Sequence, residues 1–286
     1  DLLGDTHADI ARDKAHVAGE RPLVTATTGE ALAAVREQAG PVVTVGDGDR
    51  VGDGDRVDDG DPAGGEAVGD DTPDAPDVRA RYEGREGFSG RVVLEGPDWS
   101  ADTRLSQLGA HQAENAGVAA VLARQVADAL DVPLPDRVLE RGLAGAHWPG
   151  RFEVMERSPL TVLDGAHNPG SCGSVAATLA EFDYEELHLV VGAMSDKDHA
   201  GMADALPDAD HVYTCRADTE RAESPEALAR VFRADDRAGV VHAGGPVPDA
   251  LAEARAAATP DDAVLLTGSL YVVAEAREAW THPEVT

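Results

Sequence analysis

Lysine is almost absent from this 286-residue chain: Lys14 and Lys197 stand against 22 arginines, 33 aspartates and 21 glutamates. Aromatic residues make up 4% and cysteines number two. No run approaches the roughly 18 to 20 apolar residues of a membrane span, and no basic-then-apolar leader opens the chain. Cys172 and Cys215 are too few for a disulfide scaffold at this length. No CxxC or His/Cys cluster has zinc spacing. Both cysteines therefore read as reduced, buried thiols of a cytoplasmic protein. The formal net charge of −30 excludes a general electrostatic affinity for nucleic acid or anionic membrane, which both need basic patches.

What is present is a dense acidic surface on a chain that is 42% hydrophobic, enough to build true cores. High Asp with little Lys resembles the proteins of salt-rich cytoplasms. There, carboxylates hold water and salt screens their repulsion. In such a background the two retained lysines are candidates for chemistry. Residues 46–77 stand apart, with GDGDRV repeated in tandem and 12 acids against two arginines. A calcium-binding repeat would need a regular nonapeptide with an apolar position. The hexapeptide reads instead as a disordered, solvated insert. Asp1-Leu2-Leu3-Gly4, with no initiating Met, reads as the continuation of a longer chain.

Before the insert, the pattern predicts helices over 6–18 and 29–38 and short strands over 23–25 and 41–45. After it come a strand over 88–94 and a long Ala/Val/Leu helix over 112–130. From residue 160 the period becomes regular, with strands predicted over 160–163, 187–191, 211–214, 239–242 and 263–266. Each is followed by a helix, over 171–182, 199–206, 225–233, 248–258 and 271–280. Apolar strands alternating with helices predict a doubly wound, mostly parallel α/β sheet. Ligands of such sheets meet the loops beyond the strands' carboxyl ends. Here those loops hold Asp164 to Pro169, Gly192 to Asp198, and Gly268-Ser269.

The densest polar cluster is Leu163-Asp164-Gly165-Ala166-His167-Asn168-Pro169. Asn168 followed by Pro169 is a helix start, with a cap and a proline at the first helical position. That reading leaves Asp164 and His167 unexplained. Asp164 suits a hydroxyl, a cation or an amine, and His167 suits a carboxylate or a proton transfer.

TVLDGAHNP closely resembles the motif that opens the C-terminal domain of the folylpolyglutamate synthase/dihydrofolate synthase family, within the Mur ligase superfamily. Five further segments follow that family's order: DLLGDTHADIARDKAHV, LGAHQAENAGVAAVLA, HWPGRFEV, VVGAMSDKD and AVLLTGSLYVVAEAR. The resemblance implies a partial ATPase domain over 1–148 and a complete Rossmann-like glutamate-binding domain over 149–286. It implies an ATP- and Mg2+-dependent ligase that adds L-glutamate to a folate or pteroate carboxylate through an acyl phosphate. Lys14 matches the family lysine that becomes an anionic, magnesium-holding carbamate. Asn115 matches the adenine contact, with Gln112 as an auxiliary. Arg151 at the hinge and Asp164 match the ATP side. His167, Gly268 and Ser269 match the glutamate side, although Ser269 reads equally well as a plain helix cap. Asp196-Lys197-Asp198 reads as a substrate-side charge network or a solvated loop. His16 departs from the family glycine and adds bulk after Lys14.

The family's phosphate loop, G-x-x-x-x-G-K-[ST], is missing, since neither lysine follows a glycine. The isolated chain is therefore expected to be inactive. Some halophilic relatives resemble fusions with a downstream dihydropteroate synthase. Small-molecule substrates and a monomer are expected. The competing readings are another Mur-type amino-acid ligase and a catalytically incomplete Rossmann-like binding fragment. The charge makes one prediction independent of all these. Lowering salt from molar to about 0.1 M should unscreen the carboxylates and lower the melting midpoint. Circular dichroism checks this, and an unchanged cooperative melt would refute the salt-adapted reading.

Overall fold

The computed structural model describes residues 6–19, 21–47, 75–234 and 237–280. Most of the acidic insert lies outside them. Its last residue, however, belongs to the fold. The Asp77 carboxylate accepts hydrogen bonds from the Thr44 N–H and hydroxyl, both at 2.8 Å. The chain divides into two compact units. The first holds 1–84, 90–105 and 110–145; the second holds 85–89, 106–109 and 146–286.

The first unit carries a sheet ordered β1 (Leu23–Thr25), β2 (Val42–Gly46), β3 (Val78–Glu86), β4 (Ser89–Glu95) and β5 (Ser100–Leu105). β1 and β2 run parallel, as do β2 and β3, whereas β4 and β5 are antiparallel. Helices α1 (His7–Ala15), α2 (Gly29–Gln38), α3 (His111–Ala129) and α4 (Asp136–Ala144) complete it. Val45, Ala80, Leu94, Ala116 and Ala120 share one core, so α3 lies against the sheet. The approach is close: a Cβ on Gly117 would sit 2.5 Å from Val45 Cγ1. Only glycine leaves room for that contact.

The second unit is the doubly wound sheet that the alternation predicts, with one addition. Its strands are β6 (Glu153–Arg157), β7 (Leu160–Leu163), β8 (Leu187–Val191), β9 (Ala209–Arg216), β10 (Ala238–Pro246) and β11 (Ala263–Thr267). They are ordered β10-β9-β8-β11-β7-β6. All pairs are parallel except β6 with β7. Helices α5 (Pro169–Leu179), α6 (His199–Ala205) and α7 (Pro225–Arg233) contribute to the core on one face. Helices α8 (Val247–Ala257) and α9 (Leu270–Arg277) contribute to the core on the other. β7, β8 and β11 are buried at every residue, which explains their unbroken apolar runs.

Four elements are absent from the sequence-based expectation: β3, β5, α4 and β6. β5 alternates exposed and buried, but its inward residues are Ala101, Thr103 and Leu105. Small and polar inward residues give a weak apolar period. β6 is half-buried at every residue but the exposed Arg157 and has no alternation to read.

Leu265 is fully buried at the centre of the second sheet. Leu265→Ala should cost about 2–5 kcal/mol, the range for deleting a buried leucine side chain. Chemical denaturation at fixed molar salt measures it.

Candidate active site

Because β11 lies between β7 and β8, the chain reverses its winding there. The loops after these three adjacent strands emerge side by side. They are the loops that hold Asp164 to Asn168, Gly192 to Asp198, and Gly268-Ser269. The topology thus gathers residues that lie far apart in sequence.

Asp164 is 7% exposed. Its Oδ1 accepts the Ala166 N–H and its Oδ2 the Phe152 N–H, each at 2.7 Å. Burial pushes its carboxyl above the usual range, against the pull of those two N–H groups and of Arg151 and His167. Phe152 has a φ of +43°, an unusual conformation for a bulky residue. Gly150 precedes it at +70°, and its carbonyl accepts the Gly165 N–H at 2.9 Å. Two hydrogen bonds therefore join the Gly150–Phe152 turn to the Asp164–Ala166 turn. A Cβ on Gly165 would lie 2.4 Å from Leu270 Cδ2 and 3.4 Å from Arg151 Nη1, so this glycine lets the turns close. Glu153 is tied to Arg277 by two hydrogen bonds, at 2.8 and 2.9 Å. Burial alone would raise the Glu153 carboxyl, but Arg277 and the Gly150 N–H hold it below the usual range.

Half-buried Arg151 also lines a cavity of about 230 Å³, with Phe88, Gln107, Trp148, Glu153 and Arg157 among its walls. His167 is exposed, and its Nδ1 lies 3.0 Å from the Gly165 carbonyl. A carbonyl only accepts, so Nδ1 carries the hydrogen and Nε2 is left as the acceptor. Asn168 and Ser171 form a reciprocal capping box at the start of α5, with Pro169 at the first helical position. The cap reading of Asn168 and the position of His167 are thus compatible.

Gly268 has a φ of +107°, and a Cβ there would lie 2.3 Å from the Gly192 carbonyl oxygen. The ends of β8 and β11 touch through these two glycines. Ser269 caps α9, its hydroxyl accepting the Tyr271 N–H at 3.1 Å. Asp198 caps α6, while Lys197 and Arg221 both pair with Asp196. In the sequence Gly192 stands out only as the start of a loop and Phe152 only within the HWPGRFEV segment, and neither is singled out as part of the site. A glycine closing the apolar run of β8 was the only available signal for Gly192, and Phe152 gave none.

Lys14 and Asn115 belong to the first unit. Lys14 is exposed on α1. His16, which stands at the family's glycine position, folds its Nδ1 to 3.1 Å from the carbonyls of Arg12 and Asp13. It caps the helix end. Asn115 is exposed and donates through Nδ2 to Gln112 Oε1 at 3.0 Å. Gln112 is buried and also meets His111 Nε2 at 2.9 Å. Gln112 thus holds the Asn115 amide through its Nδ2.

Residues 150–270 match the Mur ligase, glutamate ligase domain. The second unit carries that domain. Over almost its whole length the chain is similar to two proteins named bifunctional folylpolyglutamate synthase/dihydropteroate synthase. It is 53% identical over 284 residues to that of Halobacterium salinarum, covering 98% of this chain and 31% of the relative. It is 50% identical over 286 residues to that of Haloferax volcanii, covering 99% and 31%. The chain therefore spans about a third of the length of these relatives. The fold is that of the Mycobacterium tuberculosis folylpolyglutamate synthase solved with ADP and AMPPCP. The TM-score is 0.76 at 23% identity, over 99% of this chain and 61% of that one.

The Mur ligase turn at Asp164 is open to a direct test. Asp164→Asn offers one acceptor where two N–H groups need two, and its amide would face a donor. The variant should lose about 1–3 kcal/mol of stability, the cost of a buried donor left unpaired. Thermal melting in molar salt reads the loss.

Proposed function

We propose that this chain is part of an ATP-dependent ligase that joins L-glutamate to the carboxylate of a folate or pteroate. The similarity to the two haloarchaeal proteins carries the reading, because it runs through both units and through the Asp164 turn. Those proteins' names also include dihydropteroate synthase, and we extend the fusion to the complete protein of this chain.

ATP with magnesium would supply the phosphoryl group that activates the substrate carboxylate for attack by the amine of glutamate. The residues fit these groups in chemistry. Asn115 Oδ1 would accept from an adenine amino group, with Gln112 holding the amide in place. Half-buried Arg151 suits phosphate oxygens. Asp164, fixed by two N–H groups, keeps the arginine turn in register and would serve the nucleotide side through Arg151. His167 presents Nε2 to a carboxylate or amine of the incoming amino acid, and the Gly268-Ser269 turn lies on the same side. As an ammonium, Lys14 repels magnesium. As a carbamate it would offer oxygen donors to the ion, and its exposure on α1 leaves the amine accessible to carbon dioxide.

The decisive experiment uses the complete protein in molar salt, with ATP-dependent glutamate addition as the readout. Lys14→Ala should slow turnover by at least about 100- to 1000-fold, the scale for losing one charge-stabilising group, while nucleotide binding persists. Lys14→Arg should fail equally, because a guanidinium cannot form the carbamate. Acetate should partly restore Lys14→Ala. The 286-residue chain alone should show no ligation, since it carries no phosphate loop. A fully active Lys14→Arg enzyme, or ligation by the chain alone, would overturn the mechanism.

A further inference from the structure

Aromatic side chains line up across three strands of the second sheet, from His188 and His211 near the amino ends to Tyr213 and His242 further along. His188 on β8 is the direct cross-strand partner of His211 on β9, and Tyr213 on β9 is the partner of His242 on β10. Their rings stack in pairs, with centroids 4.8 Å apart for His188 and His211 and 4.7 Å for Tyr213 and His242. His188 is 1% exposed. Three buried ring nitrogens find no hydrogen-bond partner: His188 Nε2, His211 Nδ1 and His242 Nε2. Each unpaired buried polar atom costs about 1–3 kcal/mol. Such a group in a native fold calls for a ligand or a role.

Negative charge surrounds these imidazoles. Glu186 Oε2 lies 3.5 Å from His211 Nε2, Asp262 Oδ2 lies 3.7 Å from His188 Nε2, and Glu253 Oε1 lies 3.8 Å from His242 Nδ1. The Asp262 carboxylate is held by the N–H groups of Thr259 and Glu186, so it cannot turn to satisfy His188. Asp210 is likewise held by the Leu187 N–H.

We propose that Glu186, His188 and His211 form a binding site for one zinc ion. Their ligand atoms all lie within 4.8 Å of one another. The Glu186–His211 separation of 3.5 Å is already near the roughly 3.3 Å between two donors on a tetrahedral ion with bonds of about 2.0–2.1 Å. The two imidazole planes differ by 13°, so their lone pairs run side by side. Binding therefore requires the His211 ring to turn about its Cβ–Cγ bond. Its side chain is 29% exposed and no hydrogen bond holds its Nδ1, so the turn gives up ring stacking on His188 and no hydrogen bond of that nitrogen. Tyr213 Oη, 3.4 Å from His188 Nδ1, is the outer partner that leaves Nε2 as the ligand atom. Two imidazoles with one carboxylate leave a fourth position for water and suit zinc better than magnesium or calcium. The ion would tie β8 to β9 at the end of the sheet opposite the Asp164 turn.

The test uses the tag-free 286-residue chain, stripped with a chelator, in molar salt. Zinc is titrated against a competing chelating dye, and cobalt(II) serves as the spectroscopic substitute. The expected results are one zinc per chain, a higher melting midpoint with zinc, and intense tetrahedral cobalt bands. Glu186→Gln and His211→Ala should each weaken zinc by at least about 10- to 100-fold, whereas His7→Ala on α1 should not. Cooperative metal-free melts of both variants would show that they fold. Absence of saturable binding, octahedral cobalt bands, or unchanged zinc affinity in His211→Ala and Glu186→Gln would overturn the site.

Discussion

The two hydrogen bonds into the Asp164 carboxylate hold the chemistry-bearing end of the second unit together. One reaches the Phe152 N–H and the other the Ala166 N–H. They fix the turn that carries Arg151 against the turn that carries His167. Both turns need special backbone, supplied by Gly150, Phe152 and the Cβ-free Gly165. Without the carboxylate, two buried donors would be unpaired and the left-handed conformation of Phe152 would lose its support. Glu153 and Arg277 add an ion pair that anchors the following strand to α9. Positions of catalytic interest here are thus set by main-chain donors and one buried acid, which vary less with salt than exposed ion pairs do.

The near-exclusive use of arginine as the cation has a matching structural side. Arg85 lies over Phe182, Arg124 over Trp99, Arg157 over Phe88 and Arg255 over Trp280. A planar, weakly hydrated guanidinium stacks on a ring where an ammonium would keep its water. In a chain with 4% aromatic residues, four rings are covered by a guanidinium in this way. The same arginines form hydrogen bonds that lysine cannot match in geometry, such as the paired donation of Arg85 to the Glu181 carbonyl.

The two ends of the second sheet have different characters. At the carboxyl ends, glycines bring β8 and β11 into contact and leave backbone and side-chain groups facing outward. At the amino ends, imidazoles fill the space between strands and α8 with unsatisfied nitrogens. A polar ladder under a helix is a poor way to build a core. Its cost is what separates it from an ordinary packed face such as that of Val190, Leu266 and Val272, which belong to the core cluster on the α8 and α9 side.

The amino-acid order by itself determined the alternation of the second unit, because strands buried on both faces must be apolar at every position. It also determined the turn from Asp164 to Pro169, whose cap and proline follow local rules that operate within a few residues. The acidic surface and the absence of a phosphate loop were equally plain. Only the tertiary structure decided that Asp164 spends both oxygens on Phe152 and Ala166, that Gln112 supports Asn115, and that Asp77 is held to Thr44 of β2. β5 and β6 were illegible because their inward residues are small, polar or half-buried, so no apolar period marks them. The cluster of Glu186, His188 and His211 was hidden for a different reason. His188 and His211 lie on adjacent parallel strands joined by a helix, with Glu186 just before the first strand, and only strand pairing brings them together.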